Sequence, residues 1–194
     1  METVLLAAGR ASRMGAVKLL LPFKERPILA HAIDSALEGS DRVIVVTGYY
    51  ATELRQVLDS YQERFGSRLS VVHNDRPERG QFSSTRIGVS AVSAQEHFTI
   101  AMGDAPLVTA QQYLQLLALL AEFEAVRPYC NGIPGHPVLC RASLRTEILD
   151  LPDSATMRSL LAQRNVRRFE STDPSWITDI DTPESYQRLM LMPF

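Results

Sequence analysis

The sequence predicts an α/β fold: a Rossmann-like three-layer α/β/α sandwich around a mostly parallel sheet. Two observations carry this. Short runs rich in β-branched and apolar residues, at 3–7, 42–47, 69–73 and 98–102, alternate with segments whose apolar residues recur at helical spacing. The run 42–47 (Arg-Val-Ile-Val-Val-Thr) is also apolar almost throughout, as a strand covered on both faces should be. A chain of 194 residues suffices for one domain with a proper core and is short for two, so residues 1–194 are expected to form one domain.

The elements follow in order. Residues 27–37 form a helix with Pro27 at its start, where a missing N–H costs nothing. Thr52 can cap a helix to about Tyr61, and another runs from about Ser84 to Val92. Thr109 caps a long helix through Glu124, with Leu114, Leu117, Ala118 and Ala121 as its apolar stripe. Strands at 125–129 and 137–140 flank a glycine turn. Ser154 caps a further helix, 166–170 is a strand, and Thr182-Pro183-Glu184 opens the last helix with a cap and an N-terminal proline. Ligands of such sheets bind beyond the carboxyl ends of the strands. Every motif below falls at such an end.

Composition excludes several functions. Hydrophobic residues at 45% and charged residues at 22% are the balance of a globular protein. A net charge of -2 offers no basic face for nucleic acid. The densest basic stretch, 158–168 with Arg164, Arg167 and Arg168, reads as a solvated helix end. No apolar run approaches the roughly 20 residues of a membrane span, and Met1-Glu2-Thr3 lacks the basic start of a secretory signal. Two cysteines, Cys130 and Cys140, are too few for a disulfide framework, and there is no CxxC for zinc. Both read as small buried thiols of a cytoplasmic protein.

The most informative segment is residues 6–18, Leu-Ala-Ala-Gly-Arg-Ala-Ser-Arg-Met-Gly-Ala-Val-Lys. Gly9 and Gly15 permit close turns, and the small residues leave backbone N–H groups uncovered, which a phosphate cradle needs. Arg13 and Lys18 add positive charge. Neither the Walker loop nor the dinucleotide fingerprint is present. Asp104 follows an apolar strand in Met102-Gly103-Asp104-Ala105-Pro106-Leu107-Val108. A carboxylate there suits Mg²⁺, which takes one or two carboxylates plus substrate phosphates; an Asx-type turn is the plain alternative. Asp181 sits at a helix start, where it could ligate a metal or serve the helix end. Asn74 and the polar stretch to Ser84 precede a helix whose N–H groups could hold an anion or only be capped. Gly132-Ile133-Pro134-Gly135-His136-Pro137 fixes His136 between Gly and Pro, as a ligand contact or a turn histidine. His31, His73 and His97 lack such a context.

The segment 6–18, continuing into Leu20-Leu21-Pro22, resembles the signature of the MobA-like nucleotidyltransferases, and the resemblance spans residues 3 to about 189. It implies the nucleotide-diphospho-sugar transferase type of fold and a role for each motif. Leu6, Ala7, Ala8, Gly9, Arg10, Ser12, Gly15, Asn74, Ser84 and Gly103 would contact the nucleotide. Lys18, Arg13 and Asp104 would be catalytic, with Asp104 and Asp181 holding Mg²⁺, or Mn²⁺ in its place. Gly-x-x-Gly-His-Pro-x-Leu resembles the molybdenum-cofactor cytidylyltransferase branch, so Gly135, His136 and Pro137 would face the acceptor. The resemblance then implies CTP as donor, molybdopterin or its molybdenum-loaded form as acceptor, and a molybdenum hydroxylase or its chaperone as transient partner. The base choice rests on Ala8, where guanylyl-transferring members tend to have Gly; its methyl would narrow a purine slot. Alternatives are GTP as donor, a sugar or polyol phosphate as acceptor, or a non-catalytic cofactor carrier. One departure stands out: the branch usually carries Gly-Asp-x-Gly-Ala-Arg where this chain has Asp153-Ser154-Ala155-Thr156-Met157-Arg158.

Overall fold

The computed structural model describes residues 1–11 and 14–191. In chain order its elements are β1 (Glu2–Ala7), a small hairpin of β2 (Pro22–Phe23) and β3 (Arg26–Pro27), α1 (Ile28–Gly39), β4 (Arg42–Thr47), α2 (Ala51–Phe65), β5 (Leu69–His73), α3 (Gln81–Ser90) and β6 (Phe98–Met102). Then come α4 (Ala110–Leu119), β7 (Ala125–Cys130), β8 (Ile133–Pro134), β9 (Val138–Cys140), α5 (Leu144–Asp150), α6 (Met157–Leu161), β10 (Val166–Ser171) and α7 (Pro183–Met190). Short 3-10 turns join several of them, among them Lys18–Leu20 and Pro77–Arg79.

The main sheet has the order β10-β7-β9-β6-β1-β4-β5, with β8 beside β7. Strand β1 pairs in parallel with both β4 and β6, and β4 with β5. Strand β9 alone on that path is reversed, antiparallel to β6 and β7. The alternation of side chains along each strand sends residues to opposite faces. Leu5, Ala7, Val43, Val45 and Ala101 pack with α1, α2 and α4. Val4, Leu6, Ile44, Val46 and Ile100 pack with α3, α5 and α6. Three layers result, as the apolar strand runs require. From β1 the chain moves outward to β4 and β5, then returns through α3 to β6 on β1's other side. The strand order thus reverses at β1, and the crevice lies beyond the carboxyl ends of β1 and β6.

The strand positions, Pro27 at a helix start and the Thr182 cap agree with the sequence; Thr182 Oγ1 accepts from Ser185 N at 3.2 Å. Other expectations are corrected. Helix α2 begins at Ala51, so Thr52 lies inside it and caps nothing. Helix α3 begins at Gln81, three residues before Ser84, and α6 is capped by Thr156, not Ser154. Helix α4 ends at Leu119, and its buried face is Gln112, Tyr113 and Leu116. Leu114 and Leu117 are 46% and 38% exposed, and Ala118 and Ala121 are also exposed. Both faces carry apolar residues, and contact with α1 through Tyr113 and Gly39 decides between them. The basic stretch is not a helix end: Arg167 and Arg168 lie on β10, and Arg164 pairs with Glu147. Helix α5 and the β2–β3 hairpin carry no strong local signal. Both cysteines are buried, and burial raises the Cys140 thiol to about 12. Among the described residues no helix is long and apolar enough to cross a membrane.

Candidate active site

A cleft of about 460 Å³ opens at the reversal point. Its floor is the loop after β1, from Leu6 to Arg10, and its walls include Lys18, Tyr49, Ser84, Asp104, Asp179 and Asp181. These residues come from the ends of β1, β4 and β6, from the 3-10 turn Lys18–Leu20, from α3 and from the segment before α7. Leu6 and Gly103 are pinned together, since Gly103 N donates to Leu6 O at 2.9 Å. A Cβ on Gly103 would stand 3.0 Å from that oxygen, so glycine permits β6 to deliver Asp104 beside the loop.

Lys18 is the centre of the arrangement. Its ammonium donates to Asp104 Oδ2 in a short contact and to Asp181 Oδ1 at 2.7 Å. Burial by itself would lower the Lys18 pKa, but the Asp104 and Asp181 carboxylates more than reverse this and hold it above the usual lysine value. Asp104 is 5% exposed, and its Oδ1 is buried with no hydrogen-bond partner among the described residues. Asp179 lines the same cleft; burial, then repulsion from Asp104 and Asp181, push its carboxyl upward. Among the described residues no group of three or more His, Cys, Asp or Glu side chains is placed to hold a metal. Two carboxylates converging on one cation, with one carboxylate oxygen unpartnered, still fit a hard divalent ion that takes its remaining ligands from substrate phosphates.

The other sequence-derived residues divide. Ala7, Ala8, Gly9, Arg10 and Ser84 line the cleft with Leu6. Gly9 faces open space, and Arg10 lies over the Tyr49 ring at 5.9 Å. Ala8 is 4% exposed and packs on Gly48, where an added Cβ would meet the Ala8 methyl at 2.8 Å. Its methyl therefore also braces the loop against β4's end. Gly15 turns with φ +65° but does not line the cleft. Asn74 is buried and does not line this cleft: its amide donates to Ser83 and Ser84 hydroxyls at 2.9 Å, and its oxygen accepts from Arg76 N. The structure thus gives Asn74 the task of fixing the Ser83–Ser84 helix start. Ser12 and Arg13 lie outside the described residues.

Gly135, His136 and Pro137 sit elsewhere, near a second cleft of about 380 Å³ that meets the first at Gly80 and Gln81. Gly135 is buried for packing, since a Cβ would reach Trp176 O at 2.4 Å, and Pro137 is buried behind a cis peptide. His136 alone of the three lines this cleft. Burial, then the Arg127 charge, push its imidazole down to about 4, so it is neutral near pH 7. The altered segment 153–158 forms the opposite wall, where Asp153 is gripped by Arg79 at 2.9 Å and Arg86 at 2.6 Å.

Sequence reasoning did not single out Tyr49, Gln81, Asp179 or Arg127. Asp179 lies two residues before Asp181, in the same acidic stretch, and could have been found. Tyr49 and Gln81 had no local signal beyond following a strand and opening a helix.

Comparison with known proteins agrees with this geometry. The model of the MobA-like NTP transferase domain matches residues 3–168. The molybdenum cofactor cytidylyltransferase of Escherichia coli (strain K12) is 33% identical over 187 residues, covering 95% of this chain and 93% of its own. The crystal structure of Rv0371c from Mycobacterium tuberculosis H37Rv superposes with a TM-score of 0.83 at 23% identity, covering 100% and 99% of the two chains. A 4-diphosphocytidyl-2C-methyl-D-erythritol synthase from Anaerococcus prevotii DSM 20548 has a TM-score of 0.76 at 16% identity, covering 97% and 93%. These two likenesses show the fold. The family model over residues 3–168 and the 33% identity across 95% of the chain settle the family: the chain belongs to the MobA-like NTP transferase domain family and is a nucleotidyltransferase.

Proposed function

We propose that this nucleotidyltransferase moves CMP from CTP onto the phosphate of molybdopterin, or of its molybdenum-loaded form, and releases pyrophosphate. The observation that carries the reading is Lys18 bridging Asp104 and Asp181 beside an open glycine loop. Support for the substrates comes from the similarity to the Escherichia coli cytidylyltransferase and from Ala8 before Gly9. A phosphate oxygen of the acceptor attacks the α-phosphorus, the bond from that phosphorus to the bridging oxygen breaks, and pyrophosphate leaves with the electron pair. A phosphate monoester has a second pKa of about 6, so no general base is needed near neutral pH.

Catalysis is then positioning and charge neutralisation. The loop amides after Leu6 receive the triphosphate, and Arg10 and Arg13 add positive charge. Asp104 and Asp181 would hold Mg²⁺ or Mn²⁺; the related Rv0371c has been crystallised with manganese. The bound cation would supply charge neutralisation between donor and acceptor phosphates. Lys18 holds its ammonium in the same cleft, where it would neutralise charge on the departing pyrophosphate. A polyol phosphate acceptor is the second reading, favoured by the fold shared with the erythritol enzyme.

The test is pyrophosphate release with each of the four nucleoside triphosphates, Mg²⁺, and either molybdopterin or methylerythritol phosphate. Release with CTP and molybdopterin alone is the expected result. Release only with the polyol phosphate, or none with any pair, overturns the assignment.

A further inference from the structure

The second cleft carries positive charge that its own residues do not neutralise. Arg127 enters it from the middle of β7 and Arg158 from α6. Among the described residues neither guanidinium has an ion-pair partner, and Arg127 Nε is buried without any hydrogen-bond acceptor. The one carboxylate in the wall, Asp153, is already held by Arg79 and Arg86. His136 faces the same space as a neutral ring whose Nδ1 lies 3.5 Å from Ile100 O. Two guanidiniums that repel one another, one with a buried and unanswered donor, form an arrangement that an anion completes.

We propose that Arg127 and Arg158 bind a second anionic group of the acceptor, separate from its reacting phosphate, so that acceptors for this enzyme carry two anionic groups. This rests on the reading above, in which a phosphorylated acceptor enters from this side. The geometry supports it because the two clefts join at Gly80 and Gln81, so one elongated molecule can reach both. The first cleft then receives the phosphate that attacks, and the second holds the other anionic group in place. His136 completes the wall with a hydrogen-bonding ring that adds no third charge. The departure at 153–158 takes on a meaning here: Asp153, tied to Arg79 and Arg86, anchors the segment that presents Arg158.

Two measurements test the proposal on Arg127→Gln, Arg158→Gln and Arg127→Lys. The first is thermal stabilisation by millimolar inorganic phosphate with EDTA present. Phosphate should stabilise the wild type, fail to stabilise either glutamine variant, and act partly on Arg127→Lys. The second is turnover with CTP and molybdopterin. Each glutamine variant should raise the acceptor KM by on the order of tenfold, with kcat and CTP affinity by titration changed less than about twofold. Arg158 is exposed on a short surface helix, so its variant keeps the test sound if Arg127→Gln folds poorly. A phosphate response that survives both glutamine variants but is lost in Lys18→Gln places the anion in the first cleft and overturns the proposal, as does an unchanged acceptor KM. A wild type that does not use molybdopterin refutes the proposed acceptor, while loss of the phosphate response in both glutamine variants would still uphold the anion site.

Discussion

The two clefts differ in how their charge is balanced. In the first, one ammonium is shared by two carboxylates and a third, Asp179, stands near, so the residues around Lys18 lean negative and Asp104 keeps an oxygen free. In the second, among the described residues, two guanidiniums lack an ion-pair partner and the histidine is driven neutral. On the proposed reading the first gains a cation and then phosphate oxygens. The second is built to gain an anion. On the proposed reading a transferase that aligns two phosphorylated substrates needs both signs, and the two clefts meet at Gly80 and Gln81.

The largest effect should come from breaking the negative side. Asp104→Asn should lower kcat by on the order of 10³-fold with the fold kept, because an amide is a poor ligand for Mg²⁺; circular dichroism and pyrophosphate release at saturating Mg²⁺ measure both. Asp181→Asn, at 44% side-chain exposure, should cost less. Activity of Asp104→Asn within tenfold of wild type would remove the first cleft's part in the comparison.

Lys18→Ala separates the two duties given to that ammonium. Its kcat should fall by on the order of 10²-fold with KM for CTP little changed, since the charge matters most as pyrophosphate leaves. Metal titration without nucleotide should show tighter Mn²⁺ binding than in the wild type, because Lys18 no longer competes for Asp104 and Asp181. Weaker Mn²⁺ binding would mean that Lys18 supports the metal site.

The second cleft should reveal itself in the pH dependence of stability. His136 has a folded pKa near 4, below an unfolded value of about 6.5. The unfolded chain therefore binds more protons between those values, so stability is full above about pH 6.5 and falls as pH drops toward 4. The contribution is at most about 3 kcal/mol by the linkage of one pKa unit to 1.36 kcal/mol. Denaturant unfolding at pH 7 and pH 4.5 should show a loss that His136→Asn makes smaller. An equal loss in both proteins would show that His136 is not held neutral.

The smallest effect concerns the base. Ala8→Gly should narrow the CTP over GTP preference in kcat/KM by about tenfold, within the range a methyl-sized change produces. Since Ala8 packs on Gly48, part of that change would come from a looser loop, which a lowered melting temperature would register. Equal use of both nucleotides by the wild type would end the base assignment.

Local chemistry explains what was legible beforehand. The glycine loop, Asp104 after an apolar strand and the Thr182-Pro183 helix start are each contiguous in sequence, and contiguity is enough to place the first two at strand ends and the third at a helix start. Strand faces were legible too, because a run apolar at every position can only be covered on both sides. Helix faces were less so. In α4 the leucines at 114 and 117 fit a helical period as well as Tyr113 and Leu116 do, and only the neighbouring α1 selects the buried pair.

What tertiary structure alone decided is pairing, and above all its absence. Lys18, Asp104 and Asp181 are 86 and 163 positions apart along the pairs they form, so their shared charge has no signature in sequence. Arg127 reads as an ordinary strand residue and Arg158 as part of a basic surface stretch. They become a site only because β7 and α6 bring them to one cleft while Arg79 and Arg86 consume the carboxylate that could have answered them. Whether a charge is satisfied depends on every group that could reach it, and that set is fixed by the packing of distant segments, which no local pattern of residues encodes.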